Sequence, residues 1–457
     1  MTAHSLNPSQ APQINVTELI DRNHIGVRQW MILILCGACM VMDGFDVQAI
    51  GYVAPAILQE WNIEKSAMGP VFGAGLSGLL VGSLVLSVLS DKIGRRPVLI
   101  ASTFFFAVCM LVTPLADNVE HLVILRFVTG LGLGAIMPNT MALCGEFSPQ
   151  RRRVFVMMLI SCGFTVGAML GGMIAAALIP SFGWKSVFYA GGAIPLVIAI
   201  TMMFWLPESV QFQALHGVPA GRILPVVRRL LPQEHIPANA EIARPAAKPK
   251  GAPMVRLFAE GRTTGTLTIW CISFLNMIGL YFLSQWLPTL AKGAGLTIQT
   301  AVLLGTMLQL GGTIGTILMG ALIDKYGFKP VLLGCFMLAF ISVASIGHAS
   351  NELVLLFTSV FVAGFMVIGG QPAINALAAS YYPTALRTTG VGWSLGVGRI
   401  GSVLGPVVGG QLIALSWSQA NLFHVVAIPS LLILGLLLFG VQVAHKPLSA
   451  AEAPAAH

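Results

Sequence analysis

The sequence predicts an all-α integral membrane protein, with twelve transmembrane helices arranged as two six-helix pseudo-repeats. Three observations carry this. The 457 residues are 56% hydrophobic and 9% charged, with a mean hydropathy of +0.84, whereas globular chains carry about 25% charged residues. The apolar residues gather in runs long enough to cross a bilayer, which takes roughly 20 residues as a helix. A charged loop also recurs in register. Asp91-Lys92-Ile93-Gly94-Arg95-Arg96-Pro97-Val98-Leu99 lines up with Asp324-Lys325-Tyr326-Gly327-Phe328-Lys329-Pro330-Val331-Leu332, 233 residues later.

The apolar segments fall near 29–52, 67–89, 97–116, 121–142, 154–179, 185–206, 265–289, 300–322, 330–348, 353–378, 389–415 and 420–443. They divide the chain into a polar N-terminal segment (1–28), a first six-helix bundle (29–206), a linker (207–264), a second bundle (265–443) and a tail (444–457). The first 28 residues lack an apolar core with a cleavage site, so no cleaved signal peptide is expected. The linker is basic and rich in Pro and Ala, and Gly221 to Leu231 is expected to form a short amphipathic helix on the membrane surface. Ala450 to His457 is expected to be disordered. All seven cysteines lie in or at the ends of apolar segments, so the Cys36-x2-Cys39 pair reads as small-residue packing rather than redox or metal chemistry.

Charge placement sets the expected orientation. With both termini cytoplasmic, interior loops and termini hold 20 of the 25 Lys and Arg residues, and exterior loops hold only Lys65, Lys185 and Lys292. That asymmetry is the positive-inside pattern. The net charge of +8 therefore concerns topology and the anionic inner leaflet of a bacterial-type inner membrane, and no nucleic-acid partner is expected.

The most unusual stretch is Met40-Val41-Met42-Asp43-Gly44-Phe45-Asp46-Val47-Gln48, which puts two carboxylates inside the first apolar run. Near a helix centre such a pair costs about 5 to 7 kcal/mol on insertion scales. Spaced three apart, Asp43 and Asp46 share a helix face, and Gly44 permits close approach of a neighbour. Either the acids bridge to a cation on another helix to fix packing, or they form a water-accessible proton or ion site. The repeat bears on this choice: Asn276 and Gly279 stand opposite the two acids, Ser359 opposite Arg126, and Val166 opposite Arg399. The intramembrane charges are asymmetric, as a site would be. Burial in an apolar medium favours the neutral form of a carboxyl group, so either acid is a candidate proton carrier. Asp43 is the first choice, with Asp46 tuning it or meeting the substrate.

Several motifs carry a resemblance. Ser87-x3-Asp91-Lys92-x-Gly94-Arg95-Arg96, echoed by Gly320-x3-Asp324-Lys325-x-Gly327-x-Lys329, resembles the cytoplasmic loop signature of the major facilitator superfamily. An Asp at a helix end beside clustered cations on a tight Gly turn can lock two helix ends together. Asp91, Arg95, Arg96, Asp324, Lys325 and Arg387 are therefore candidate gating residues. Ser87 and Phe328 depart from the pattern, so the lock is expected to rest mainly on the first copy. Arg126-x3-Gly130-x-Gly132 resembles the superfamily's proton-coupling motif; Glu146-x2-Pro149, Pro207-Glu208-Ser209 and Tyr382-Pro383-x3-Arg387 resemble its loops.

Taken with Ala49-x-Gly51-Tyr52-Val53-Ala54-Pro55-Ala56 and Arg399, the Asp43-Gly44-Phe45-Asp46 stretch resembles the aromatic acid:proton symporter family. That resemblance implies the major facilitator fold, uptake of benzoate-type anions with protons as the coupling ion, and no further cofactor. It gives weight to Asp43, Asp46, Asp91, Arg126, Glu146, Asp324, Arg387 and Arg399, with Glu146 in the proton-coupling set. A functional monomer is the superfamily's expectation.

The residue types suit that chemistry. A carboxylate needs a cation in a dry cavity, and Arg399, beside Gly398 and Gly401, is the best candidate. An aromatic ring needs flat apolar walls, available from Phe45, Phe164, Tyr281, Phe282, Trp286 and Trp393. Ring hydroxyls can meet Asn276, Gln285, Gln309 or Asn375, each of which also reads as a helix-packing residue.

Three rival readings remain. An exporter would carry GxxxGPxxGG on the fifth helix; here that helix lacks the proline, and the full pattern Gly401-x3-Gly405-Pro406-x2-Gly409-Gly410 lies on the eleventh. An intramembrane serine hydrolase would use Ser394 of Gly392-Trp393-Ser394-Leu395-Gly396 with His424. A transducer would need an output domain, and 207–264 is too short and Pro-rich for one.

Overall fold

The computed structural model describes residues 13–234, 236–237, 240–243, 254–349 and 352–439. Among these, twelve helices are long and apolar enough to span a membrane. Spanning helices satisfy every backbone polar group within the segment, which is why an apolar chain of this kind folds into helices.

In chain order the first part comprises β1 (Gln13–Ile14), α1 (Val16–Arg22), α2 (Val27–Trp61), α3 (Met68–Ile93), α4 (Arg95–Val112), α5 (Val119–Leu133), α6 (Ile136–Phe147), α7 (Gln150–Phe182) and α8 (Lys185–Trp205). There follow α9 (Val210–Leu215), α10 (Ala220–Leu230) and β2 (Glu241–Ile242). The remainder is α11 (Thr263–Gly293), α12 (Ile298–Tyr326), α13 (Phe328–Ile346), α14 (Leu353–Tyr381), α15 (Thr384–Ala414) and α16 (Gln419–Phe439).

The helices outrun the apolar runs that predict them. The first extends to Trp61 rather than ending near 52, passing through Pro55 and stopping where Asn62 takes a left-handed conformation (φ 51°). One proline removes a single donor and leaves the rest of the helical ladder intact. The fourth span is broken into α5 and α6 at Gly134-Ala135, which the hydropathy pattern does not reveal.

The linker is more structured than its composition suggests. The expected amphipathic helix is present as α10, burying Ile223, Leu224, Val227 and Leu230. A short parallel pairing of β1 with β2 ties the N-terminal segment to the linker. The Arg244 to Lys250 run and the Ala450 to His457 tail lie outside the described residues.

The chain forms two compact units. The first holds Met1–Pro249 together with Phe282–Thr313 and Pro406–Trp417. Its central contact joins α2 to α7. A Cβ at Gly44 would collide with the Phe164 backbone, and one at Gly167 with the Val41 backbone, so the two helices meet main chain to main chain. Neighbouring backbone cannot yield as a flexible side chain can, so Gly44→Ala is expected to destabilise by about 1–3 kcal/mol. Gly37→Ala, whose Cβ meets nothing within 4 Å, is the control. Thermal unfolding in detergent should separate the two variants, and equal midpoints would remove the contact from the helix-pairing core.

The second unit holds Lys250–Tyr281, Ile314–Gly405 and Ser418–His457. Here Gly401 and Gly405 of α15 lie against the backbone at Phe274 and Ile278 of α11. The glycine-rich pattern on the eleventh spanning segment is thus a packing surface. A core of Leu257, Ile269, Trp270, Ala378, Tyr382 and Leu386 closes the end of this unit near the linker. Tyr382 is held there because Gly390 leaves room for its ring, which gives the Tyr-Pro-x3-Arg loop a structural role. Burial pushes the Tyr382 phenol above its usual range.

Candidate functional site

The two aspartates of α2 are both buried, Asp43 at 3% and Asp46 at 1% exposure. Asp46 faces Arg126 of α5, whose Nη2 donates to Oδ1 at 2.9 Å and Oδ2 at 2.7 Å. The guanidinium is itself 2% exposed and lies over the Phe188 ring at 5.7 Å, with Met110 Sδ at 4.0 Å from Nη1. Each charge would be prohibitive alone in that setting, and together they neutralise and hydrogen-bond one another.

The position of this ion pair depends on a close contact between two helices. Arg126 lies one turn before Gly130, whose missing side chain lets α5 approach the α3 backbone at Gly75. Gly75 and Gly130 then line a small pocket with Asp46, Arg126, Phe72 and Gln285. The pocket has room for about one water.

Asp43 lies one turn back on α2, beside Gly44, which meets the α7 backbone. Further along α2, Gln48 Nε2 donates to the Ser284 carbonyl, and Gln285 Nε2 donates to the Val47 carbonyl at 3.0 Å. Gln48 was not among the sequence-predicted residues. A glutamine two positions from Asp46 in an apolar run was the signal available.

Several expected ring-wall residues make close packing contacts. Phe45 fits between Gly171 of α7 and Gly191 of α8. Trp286 is fully buried, donates from Nε1 to the Pro406 carbonyl at 2.9 Å, and meets Phe72 edge-on at 5.0 Å. Phe282 lies against Gly409. Phe164 contributes its backbone to the contact with Gly44 and is half-buried. Gln309 Nε2 reaches Ser284 Oγ at 3.3 Å.

In the second unit Arg399 is half-buried on α15, and its Nη1 donates to the Tyr281 hydroxyl at 3.3 Å. Tyr281, expected as a wall, thus also contacts the guanidinium. Asn276, the repeat counterpart of Asp43, donates to Gln371 Oε1 at 2.7 Å, and Gln371 Nε2 continues to Asn375 Oδ1 at 3.3 Å. A neutral amide chain thus stands where the first repeat has acids. Gln371, beside Pro372 in an apolar run, was missed. Trp393 stacks on Trp270 with centroids 5.8 Å apart.

The gating candidates divide by repeat. Gly94 adopts φ +109° and Gly327 φ +82°, so both copies of the loop use a turn that only glycine takes without strain. In the first copy Arg95 pairs with Glu146, which also accepts from the Ser209 hydroxyl. Glu208 Oε1 accepts from the backbone N–H groups of Arg95 and Arg96 at 3.2 Å each, placing a carboxylate at the start of α4. Glu146 therefore belongs to the basic-loop cluster and not with Asp46 and Arg126. Asp91 is exposed beside this cluster. In the second copy Asp324 and Lys325 are exposed, Lys325 lying over the Tyr326 ring at 5.0 Å, and Arg387 is exposed at the start of α15. Among the described residues no ion pair joins them.

The hydrolase reading fails on geometry. Ser394 is 1% exposed, and His424 Nε2 faces His348 Nε2 at 3.1 Å.

Twelve membrane-length helices, with an ion pair buried in the first unit, mark a multi-pass membrane protein. The Major Facilitator Superfamily model matches residues 36–305 and 269–456. The chain is 37% identical to the gallate transporter of Pseudomonas putida over 423 residues, covering 93% of this chain and 94% of that one. It is 34% identical to the 4-hydroxybenzoate transporter of Pseudomonas aeruginosa (95% and 97% covered) and 34% identical to the 3-(3-hydroxy-phenyl)propionate transporter of Escherichia coli (89% and 92%). The crystal structure of a D-xylose-proton symporter matches with a TM-score of 0.71 at 15% identity, covering 90% of this chain and 98% of that one, which shows the shared fold. The protein belongs to the major facilitator superfamily and, within it, to the aromatic acid transporter family.

Proposed function

We propose that the protein imports a hydroxylated aromatic carboxylate of the hydroxybenzoate, protocatechuate or gallate type by proton symport, through alternating access. The observation that carries this reading is the Asp46–Arg126 pair, buried in the first unit with Asp43 one turn away. The names of the relatives, transporters of gallate, 4-hydroxybenzoate and 3-(3-hydroxy-phenyl)propionate, support the substrate class. Importing a monoanion against an interior-negative potential costs about 2.3 kcal/mol per 100 mV, and one accompanying proton cancels that charge.

In this reading Asp43 carries the proton, and Asp46 with Arg126 couples its binding to the transport cycle. Arg399, oriented by Tyr281, receives the substrate carboxylate. The Arg95–Glu146–Ser209 cluster with Asp91 acts as a gate on the basic-loop side. Protons are the only coupling ion, and the protein works as a monomer. The asymmetry of Lys and Arg supports cytoplasmic termini and an inner-membrane location.

The test is proton-gradient-driven uptake in proteoliposomes across a panel of aromatic acids. Uptake of a hydroxybenzoate that a protonophore abolishes is the expected result; a panel with no substrate and no competitor rejects the assignment. On the same assay Arg399→Ala is expected to raise the half-saturating concentration by about tenfold or more, the loss of one charge-assisted contact. An unchanged half-saturation would remove Arg399 from the carboxylate site.

A further inference from the structure

At the basic-loop end of the first unit an open crevice of about 610 Å³ lies among the start of α2, the end of α8 and the amphipathic α10. Of its walls only Arg96 is among the gating candidates, and the gate proposed above rests on Arg95 instead. Its walls combine two chemistries. Val27, Met31, Phe204 and Trp205 form an apolar rim, with Val27 86%, Phe204 80% and Trp205 58% exposed. Arg28, Arg96 and Arg229 line the same crevice.

Among the described residues no carboxylate makes an ion pair with any of these three arginines. The acid on the wall, Glu208, already accepts from the N–H groups of Arg95, Arg96 and Ser209. Arg96 is fixed in place by its Nη2 bond to the Met203 carbonyl at 2.6 Å, and its Nε is buried without a hydrogen-bond partner. The crevice therefore presents cationic donors in search of an anion.

The apolar rim decides which anion. A soluble anion gains nothing from exposed Val27, Phe204 and Trp205, whereas a phospholipid lays its acyl chains along such a rim while its phosphate meets the guanidiniums. Trp205 ends a spanning helix and α10 buries only one face, the placement of side chains and helices that lie at the headgroup level. Basic pockets between helices at that level bind anionic headgroups. We propose that this crevice is a binding site for one anionic phospholipid, its phosphate held by Arg28, Arg96 and Arg229 and its chains against Phe204 and Trp205.

Native mass spectrometry of the full-length protein, delipidated and then exposed to equimolar phosphatidylglycerol and phosphatidylethanolamine, tests this. A single phosphatidylglycerol adduct, retained several-fold over phosphatidylethanolamine, is expected. Arg28→Ala/Arg229→Ala should lower its retention by on the order of tenfold, while Arg28→Lys/Arg229→Lys keeps most of it. Equal retention of the two lipids by the unaltered protein overturns the proposal without any variant. So does undiminished retention by the folded double-alanine variant. Displacement of the lipid by excess 4-hydroxybenzoate would assign the crevice to the aromatic acid and also overturn it. None of these readouts depends on transport, so the lipid site and the transport reading fail separately.

Discussion

Arg126→Ala is expected to abolish proton-driven accumulation and to destabilise the protein by about 3–5 kcal/mol, because it strands the Asp46 carboxylate, itself only 1% exposed. Asp46→Ala strands the guanidinium and should cost a similar amount. The informative variant is the double one. Asp46→Asn with Arg126→Gln replaces two charges by two amides that can still hydrogen-bond, so the stability loss should be much smaller than the sum of the single losses. Transport, however, needs charges that respond to a proton, and the double variant should stay inactive. Thermal unfolding in detergent and uptake in proteoliposomes read the two effects separately. If the double variant recovers both stability and uphill uptake, the pair is a packing device and the coupling role is wrong.

Asp43→Asn should produce a different failure. The asparagine keeps the size and a hydrogen-bonding capacity but binds no proton, so the fold should survive. Uphill accumulation should disappear while exchange of labelled for unlabelled substrate across the membrane continues. The magnitude is set by the membrane potential: an uncoupled monoanion facing 100 mV, interior negative, settles roughly fiftyfold lower inside than outside. The variant should therefore move from accumulation to exclusion under the same potential. Accumulation equal to that of the unaltered protein would transfer the proton to another group, with Asp46 next in line.

Legibility differed by the kind of residue. Charged groups inside apolar runs announce themselves, since each costs several kcal/mol and is retained only for a reason. Asp43, Asp46, Arg126 and Arg399 stand out on that ground, and none of the four recurs at the matching position of the other repeat. Aromatic and amide residues gave no such signal, because a helix bundle uses them equally for packing. Phe45 and Trp286 read equally well as ring walls or as packing, and both pack closely, against Gly171, Gly191 and Pro406. Glu146 was grouped with the intramembrane charges on its motif, and the structure gives it to Arg95 and Ser209. Its charge sits at a helix end, where a sequence pattern cannot say which neighbour will reach it.

The membrane class, the twelve spans, the two-fold repeat and the acids on the first helix were all legible in the chain alone. All of these rest on composition, segment length or spacing, which the solvent enforces locally along the chain. Only the tertiary structure decided that Asp46 rather than Asp43 pairs with Arg126, that Tyr281 orients Arg399, and that the linker helix completes an arginine-lined crevice. Asp43 and Asp46 share one face of one helix, and the choice between them turns on where α5 lies. That position is set by the contact of Gly130 with Gly75, between residues whose meeting no local pattern encodes.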